Sequence, residues 1–326
     1  MKKILVAGGG GFIGGWLVKE LLAQGNEVTA VDVKLISEWS QVFTEAKNLT
    51  RDLSLLDNCL ELTKNVDEIY NLAADMGGMG FIEKNKAACM LSVLINTHLL
   101  MGAKLNGVSK FFFASSACVY NATKQSSTGL PGLKEEDAYP AMPEDGYGWE
   151  KLFSERMCKH FYEDYGLEVR IARYHNIYGP EGTWDGGREK APAALCRKIA
   201  VAKYLGEKKI EIWGDGEQTR SFTFIEDCIR GSILLMESNV TEPLNIGSSE
   251  MVSINSLATI IEKIAGISLS RIYNLSAPKG VRGRNSDNTQ VVDKLGWEPQ
   301  VTLRTGLDKT YQWIEKQVQV RNKNKL

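Results

Sequence analysis

The chain has 326 residues, of which 43% are hydrophobic and 24% are charged, and its formal net charge is −1. This size and composition are typical of a soluble globular protein with one large domain plus a lobe, or two domains sharing a cleft. The balanced charge excludes a broadly basic surface for nucleic acid, and we identify no apolar run of the ~20 residues that cross a bilayer.

Cysteine and histidine usage gives no sign of a metal site. The six cysteines include no Cys-x-x-Cys pair and have no histidine pair nearby, and the chain has only three histidines. This pattern lacks the spacing of zinc ligands and is typical of reduced thiols in the cytosol. Glycines, rather than the apolar segment of a signal peptide, follow the first residues. We therefore expect a cytoplasmic protein that holds no metal.

The N-terminal region has the order strand, glycine-rich turn, helix, strand. The strands are predicted at Lys3 to Ala7 and Glu27 to Val33, and the helical spacing of apolar residues runs from Trp16 to Leu22. Glycines at this spacing let backbone N–H groups at a helix N-terminus approach the pyrophosphate of a dinucleotide. The residues predicted to form this turn are Gly8, Gly11, Phe12, Ile13 and Gly14.

One acidic residue predicts which dinucleotide binds. Asp32 lies near the end of the second predicted strand, 18 residues after Gly14. A carboxylate at this position accepts a hydrogen bond from the ribose 2′-OH of NAD and repels the 2′-phosphate of NADP. NAD is therefore the predicted cofactor.

The alternation of strands and helices continues through the first half of the chain. A strand is predicted just before Arg51, others at Glu68 to Leu72 and Lys110 to Ala114, and a helix at Cys89 to Met101. Such alternation predicts an α/β protein with a Rossmann-type, doubly wound parallel sheet, whose ligand lies at the carboxyl ends of the strands.

The pattern changes near Leu167, where short strands, glycine-bearing loops and helices follow, two of the helical segments after Ser253. We interpret this part as a smaller C-terminal α/β lobe that binds substrate. The predicted division gives residues 1–174, together with about 222–247, to the NAD-binding domain. Residues 175–221 and 248–320 are assigned to the lobe.

A tyrosine and a lysine begin a predicted helix that runs from Tyr147 to about Tyr165, with Trp149 expected on its packing side. Tyr147 and Lys151 are four residues apart, so they share a face. A lysine cation beside a phenol favours the phenolate and lowers its pKa, as proton transfer during alcohol oxidation requires. Alone, the pair also fits an ordinary helix with a half-buried tyrosine and a surface lysine, and the dinucleotide turn favours the redox interpretation.

The glycine spacing and the Tyr-x-x-x-Lys pair resemble the extended branch of the short-chain dehydrogenase/reductase family. Five stretches are similar to the GDP-mannose 3,5-epimerases of that branch, at 75–80, 115–118, 182–192, 213–224 and 280–287. The resemblance covers nearly the whole chain, and the stretch at 182–192 is the most specific. It implies an NAD-dependent enzyme that acts on a nucleotide-sugar.

The resemblance also implies a role for each candidate catalytic residue. Ser116 matches a hydroxyl that bonds the sugar O4, Tyr147 matches the redox acid/base, and Lys151 matches the residue that holds the nicotinamide ribose. Cys118 and Lys190 match the two acid/base groups that invert carbons of the sugar. In the related 4,6-dehydratases an acidic residue replaces this cysteine.

Further contacts to cofactor and substrate follow from the same resemblance. Asp52 and Leu53, after the third predicted strand, match residues near the adenine, and Ala73 matches a small residue against which the cofactor lies. Methionines between glycines match a loop beside the sugar, although methionine also serves simply to fill a core. The positions implied to contact substrate are Met76, Gly77, Gly78, Met79, Ser116, Cys118, His175, Asn176, Lys190, Lys198, Gln218, Arg220 and Arg284. Of these, the positions that match holders of the nucleotide diphosphate or ribose are Asn176, Lys198, Gln218, Arg220 and Arg284.

A cysteine and a lysine suit a double inversion chemically. Oxidation at C4 acidifies the hydrogens on C3 and C5, and inversion through an enolate needs a base on one face and an acid on the other. Proximity alone would lower the pKa of Cys118 and raise that of Lys190, so Lys190 must be buried if it is to lose its proton. The predicted function is epimerisation of a GDP-hexose at C3 and C5 through a transient 4-keto sugar, GDP-D-mannose to GDP-L-galactose.

Other interpretations of the sequence remain open. An NDP-sugar 4-epimerase needs no Cys/Lys pair, a 4,6-dehydratase needs an acid in place of Cys118, and a non-catalytic NAD(H) sensor would usually lack the Tyr-x-x-x-Lys pair. A lone buried cysteine is often inert, and Lys190 could be a solvated loop residue. The expected partners are the nucleotide-sugar and a second copy of the chain, packed through the helices 89–101 and 147–165, with no nucleic acid and no membrane.

Overall fold

The structure is a computed structural model that describes residues 1–278 and 280–323. Its strands are β1 (Lys3–Ala7), β2 (Glu27–Asp32), β3 (Lys47–Thr50), β4 (Glu68–Asn71), β5 (Lys110–Ser116), β6 (Glu168–Tyr174), β7 (Ile177–Tyr178), β8 (Lys209–Trp213), β9 (Thr219–Ser221), β10 (Thr223–Phe224), β11 (Leu244–Ile246), β12 (Met251–Ser253), β13 (Ser270–Asn274) and β14 (Gly283–Arg284). Its helices are α1 (Phe12–Ala23), α2 (Leu56–Leu62), α3 (Met79–Ile82), α4 (Lys86–Leu105), α5 (Asp145–Tyr165), α6 (Ala191–Leu205), α7 (Ile225–Glu237), α8 (Ile254–Ala265), α9 (Thr289–Leu295) and α10 (Leu303–Lys323).

A seven-stranded parallel sheet forms the centre, with the strand order β11-β6-β5-β4-β1-β2-β3. The side chains of β5 alternate between its faces, as the period of a strand requires. Phe111 and Phe113 pack into the cluster beside α4 and α5, whereas Phe112 packs into the larger cluster that includes α1 and α7. Both faces of the sheet are therefore covered by helices, which confirms the predicted Rossmann-type fold.

The C-terminal part of the chain adds small sheets and further helices. Strands β8 and β13 form one parallel pair, and β12, β9 and β14 form a three-stranded sheet. Helices α6, α8 and α10 pack together beside them. Strand β11 pairs with β6 in the central sheet, so the chain returns to the large sheet before it completes the lobe. The predicted domain boundaries at 174, 222 and 247 are consistent with this return of the chain to the central sheet, and they stay a prediction.

The structure corrects several details of the sequence analysis. Among the described residues, three helices follow Ser253 instead of two helical segments, namely α8, α9 and α10. Helix α1 begins at Phe12, before the predicted start at Trp16. The short strands β7, β9, β10, β12 and β14 were not predicted, because two or three residues are too few to display a period.

Helices α4 and α5 pack side by side and share an exposed apolar face. Trp149 is 47% exposed, so the expectation that it lies on the packing side of its helix is wrong. Within the described part of the chain, the segment Lys86–Asn106 is also the one helix that could cross a membrane by length and composition, which the sequence analysis did not identify. The helix packs along α5 and α2, and this length and composition are also found in helices of protein cores.

Candidate active site

The glycine-rich turn lies between β1 and α1, at the carboxyl edge of the central sheet. Gly8 has a φ of +82°, a left-handed conformation that favours glycine. A Cβ atom on Gly14 would lie 2.1 Å from the Gly8 carbonyl oxygen, so only glycine fits there. Gly11 precedes the first residue of α1, and Phe12 and Ile13 form its first turn. The turn thus offers close backbone approach and a helix N-terminus, which fits the pyrophosphate of a dinucleotide.

The other predicted cofactor residues lie along the same edge. Asp32 ends β2, where its Oδ1 accepts a hydrogen bond from the Lys34 N–H at 3.1 Å. Asp52 and Leu53 follow β3, the first exposed and the second buried, and Ala73 follows β4 beside the glycine turn. The chain therefore places a carboxylate and small or apolar groups where an adenosine would extend from the turn.

A cavity lies between this edge and the C-terminal lobe. It is bordered by the ends of β5 and α5 on one side and by α6, β8 and β14 on the other. Most positions predicted to act on or contact substrate meet here, although they are far apart in sequence. Those that line the cavity are Met76, Gly77, Gly78, Met79, Ser116, Cys118, Tyr147, Asn176, Lys190, Lys198, Gln218, Arg220 and Arg284.

Two predicted residues lie outside the cavity wall. Lys151 is buried, with its Nζ 3.5 Å from Glu150 Oε2 and 5.6 Å from the centre of the Tyr147 ring. His175 is fully buried, and its Nε2 lies 2.8 Å from Asn245 Oδ1. Burial lowers the pKa of His175 to about 3, so this imidazole is neutral. The structure therefore gives His175 a place in the core instead of the predicted place beside the sugar.

Tyr147 is the first residue of the Tyr-x-x-x-Lys pair, and its pKa moves against the expectation from the sequence. Burial raises the pKa of Tyr147 well above its usual value, and the charges of Cys118 and Glu150 raise it further. A hydrogen bond with the Ser116 hydroxyl opposes this effect. The prediction that Lys151 lowers the pKa of Tyr147 is wrong for the protein without ligands. Lys151 is paired with Glu150, and burial has the largest effect on the pKa of Tyr147.

Cys118 follows β5 in a short 3₁₀ turn, where its N–H donates to Ser116 Oγ at 3.2 Å. Its side chain is directed into the cavity wall beside Arg284, whose Nη1 lies 3.7 Å from Cys118 Sγ. Burial raises the pKa of the thiol to about 11; the Glu144 carboxylate also raises it, whereas Arg284 lowers it. At neutral pH Cys118 is therefore a thiol.

Lys190 precedes the first residue of α6 and is half-buried in the opposite part of the wall. Burial lowers the pKa of its ammonium, Arg284 lowers it further, and Cys118 opposes the change. Its loop is joined to the methionine loop through the Gly78 N–H, which donates to the Arg188 carbonyl at 2.9 Å. Burial thus lowers the pKa of Lys190, which is the direction that its use as a base requires.

Three of the residues predicted to hold the nucleotide diphosphate or ribose lie in two different parts of the cavity wall. Arg284 is buried at the cysteine end of the cavity, where its Nη2 lies 2.8 Å from Glu144 Oε1. Lys198 and Gln218 lie toward β8: Lys198 Nζ donates to the Glu211 carbonyl at 2.8 Å, and Gln218 Oε1 is a buried acceptor with no donor among the described residues. Arg284 thus lies beside Cys118, in the wall of the same cavity as Lys198 and Gln218.

Comparison with known proteins identifies the family. Residues 4–247 match the NAD dependent epimerase/dehydratase family. The chain belongs to this family. A GDP-mannose 3,5-epimerase 1 of Oryza sativa subsp. indica is 49% identical over 319 residues, which cover 97% of this chain and 82% of that protein. A GDP-mannose 3,5-epimerase of Arabidopsis thaliana is 47% identical over 97% of this chain and 83% of its own length, which confirms the resemblance predicted from the motifs.

Solved structures of epimerases share the fold of this family member. The UDP-glucose 4-epimerase of Thermotoga maritima, solved with UDP-glucose, has a TM-score of 0.87 and 26% identity over 97% of this chain and 99% of that chain. The UDP-glucuronic acid 4-epimerase of Bacillus cereus, solved with UDP-glucuronic acid and NAD, has a TM-score of 0.82 and 27% identity over the same shares.

Several residues of the cavity were not predicted from the sequence. Glu144 is the most informative, because its carboxylate faces both Arg284 and Cys118. Glu144 could have been recognised as a candidate from its position three residues before Tyr147, because that spacing is close to one helical turn and brings the two side chains near each other. The other unpredicted residues that line the cavity include Tyr174, Glu189, Arg197, Glu211, Trp213 and Phe222.

Proposed function

We propose that this protein is an NAD-dependent GDP-mannose 3,5-epimerase that converts GDP-D-mannose to GDP-L-galactose through a transient 4-keto sugar. The observation that carries the proposal is the meeting of Tyr147, Cys118 and Lys190 on one cavity. This set supplies a redox acid/base and two further proton-transfer groups. The 3,5-epimerase relatives at 47–49% identity support the same assignment.

The residues at the edge of the sheet fit NAD. The glycine turn would hold its pyrophosphate, Asp32 its adenosine ribose, and Lys151, behind Tyr147, its nicotinamide ribose. When bound, NAD accepts a hydride from C4 of the sugar and later returns it. Lys151 is held in place by Glu150 and lies over the Phe113 ring at 4.7 Å, so its position is set before any ligand arrives.

Tyr147 and Ser116 suit the redox step at C4. The phenol of Tyr147 is within the cavity and hydrogen-bonds the Ser116 hydroxyl. Tyr147 would take the proton of the C4 hydroxyl during oxidation and return it during reduction, while Ser116 orients that oxygen. Because its pKa is raised in the protein alone, Tyr147 rests as a neutral phenol and must lose that proton before it can act as a base.

Cys118 and Lys190 suit the inversions. A ketone at C4 makes the neighbouring C–H groups acidic, and each inversion requires removal of a proton from one face and delivery to the other. Cys118 rests as a thiol, a proton donor, and burial lowers the pKa of Lys190, which favours the neutral amine, a proton acceptor. An assay of GDP-mannose and UDP-glucose with the NAD-loaded protein, followed by proton NMR, should yield GDP-L-galactose and no UDP-galactose. Conversion of UDP-glucose alone would favour a 4-epimerase.

Asp32 predicts a preference for NAD. We expect the unmodified protein to bind NAD about tenfold or more tightly than NADP, a difference of about 1.4 kcal/mol, because a 2′-phosphate would meet the carboxylate. Replacement of Asp32 by asparagine should reduce the difference, and Glu61→Gln, which removes an exposed carboxylate of α2 outside the predicted cofactor residues, is the matched control. Calorimetric titration measures both affinities. Tighter binding of NADP by the unmodified protein would contradict the assignment.

We further propose a homodimer formed through α4 and α5. The support is an apolar face on these two packed helices, since exposed apolar patches of this kind mark association surfaces. Its residues are Met90, Leu91, Leu94, Met101, Trp149 and Phe153, each 38–61% exposed.

Light scattering tests the dimer. The unmodified protein should have twice the mass of the chain at micromolar concentration, and Phe153→Glu should produce monomers because a charge would be buried in the interface. Val320→Glu is the control, since Val320 is 57% exposed on α10, away from this face. A monomeric unmodified protein, or an equal effect of both variants, would argue against this surface.

A further inference from the structure

Glu144 is joined to Cys118 in two ways, although the mechanism above assigns it no role. It precedes the first residue of α5, and its backbone N–H donates to the Cys118 carbonyl oxygen at 2.9 Å. Its carboxylate lines the cavity, is 13% exposed and hydrogen-bonds the Cys118 side chain. The backbone contact fixes where the carboxylate can lie, so its approach to the sulfur is a built feature of the turn.

A buried arginine connects the same two side chains. Arg284 Nη2 lies 2.8 Å from Glu144 Oε1, and its Nη1 lies 3.7 Å from Cys118 Sγ. Its Nε donates to Gln125 Oε1 at 2.6 Å, which holds the guanidinium from a third side. A buried guanidinium requires a neighbouring anion. Glu144 supplies that anion, so the Cys118 sulfur does not have to be ionised.

We propose that Glu144 is a positioning residue for epimerisation, which compensates Arg284 and orients the Cys118 S–H so that Cys118 enters each turnover as a proton-donating thiol. This proposal rests on the proposed function, in which Cys118 is an acid/base group. It adds that Glu144 sets the protonation state in which Cys118 starts each turnover, and therefore the direction in which Cys118 transfers its proton.

The direction of transfer then follows. The Lys190 amine takes a proton from the carbon beside the ketone, and the electron pair moves into an enolate at O4. The Cys118 thiol gives its proton to the opposite face of that carbon, and the new thiolate is stabilised by the Arg284 guanidinium nearby. Solvent returns a proton to the sulfur and accepts one from Lys190, which restores the pair.

The charges around Cys118 have opposing effects on its pKa. Burial and the Glu144 carboxylate raise the pKa, and Arg284 lowers it, with a balance at about 11. Removal of the carboxylate would leave Arg284 unopposed, so the pKa should fall and thiolate should form at lower pH. The groups that face Cys118 from the elements packed against it are Glu144 and Tyr147 of the α5 segment, Arg284 of β14, Arg220 of β9, Lys190 before α6, Cys89 of α4 and Ser116 of β5.

A thiolate titration tests the inference without substrate. Thiolate absorbance is measured as a function of pH, and the curve of the Cys118→Ser variant is subtracted to isolate Cys118. The difference should give a pKa near 11 for Cys118 in the unmodified protein. Glu144→Gln keeps the size and removes the charge, and we expect the pKa to fall by about one unit, with alkylation by iodoacetamide roughly threefold to tenfold faster. Glu144→Asp keeps the charge and should restore most of the shift. Glu136→Gln, an exposed carboxylate, controls for net charge.

Turnover of GDP-mannose by the NAD-loaded enzyme gives the second readout. Glu144→Gln should lower kcat about tenfold or more with KM nearly unchanged. The fall of activity at alkaline pH should also begin at a lower pH than in the unmodified enzyme, because Cys118 loses its proton at a lower pH. Thiolate at neutral pH in the unmodified protein would overturn the inference, whichever variants fold. So would an unchanged pKa in a folded Glu144→Gln, or equal shifts in the Gln and Asp variants. A titration as expected without 3,5-epimerase activity would instead refute the proposed function alone.

Discussion

Replacement of Cys118 or of Lys190 by alanine is expected to lower the rate of epimerisation about 10²–10⁴-fold, the usual contribution of a general acid or base. Oxidation at C4 should persist, because Tyr147 and the NAD site are unchanged in both variants. GDP-mannose should therefore still reduce bound NAD, visible as transient absorbance of the reduced nicotinamide, while proton NMR detects little or no product.

Two controls sharpen this result. Cys118→Ser keeps the shape of the side chain but supplies a far weaker acid, so it should resemble the alanine variant. Cys196→Ala removes a fully buried thiol of α6 that does not line the cavity, and it should keep its activity. Normal epimerisation by the alanine variants, or loss of NAD reduction in them, would show that Cys118 and Lys190 are not the inverting pair.

Tyr147→Phe should have an effect of similar size at an earlier step. The variant lacks the phenol that exchanges a proton with the C4 hydroxyl, so we expect a loss of about 10²–10⁴-fold in both NAD reduction and epimerisation. Calorimetric binding of the nucleotide-sugar should change little, since the remainder of the cavity is intact. Tyr178→Phe is the matched control, because Tyr178 is also buried but bonds the Leu303 carbonyl away from the cavity. Ordinary turnover by the Tyr147 variant would remove this residue from the mechanism.

The fold could be predicted because local patterns carry it. Apolar runs separated by helical segments predicted the parallel sheet, and the glycine spacing predicted the turn in which a Cβ on Gly14 would meet the Gly8 carbonyl at 2.1 Å. Cys118 follows the end of β5, and Tyr147 lies in the first turn of α5, both at one edge of the sheet. Their meeting in one cavity follows from the topology, which was predictable once the alternation was recognised.

Features that depend on burial and on long-range pairing could not be predicted in this way. His175 is adjacent in sequence to Asn176, which lines the cavity, yet its ring is directed into the core toward Asn245. Trp149 has the helical spacing of a core residue, but no described element covers that side of α5.

The electrostatics of the site also required the structure. The rise in the pKa of Tyr147 arises chiefly from burial, which no spacing of residues reveals. The contacts of Arg284 with Glu144 and Gln125 could not be predicted either, because these residues are distant in sequence from Arg284 and have no motif of their own.

Incorporation of deuterium from D₂O is the most direct test of proton exchange at C3 and C5. The NAD-loaded enzyme is incubated with GDP-mannose in D₂O, and proton NMR of the recovered nucleotide-sugars reports the label at each carbon. A 3,5-epimerase should place deuterium at both C3 and C5, because each inversion passes through an enolate that is reprotonated by exchangeable groups. Turnover that leaves both carbons unlabelled would contradict this function and favour simple 4-epimerisation.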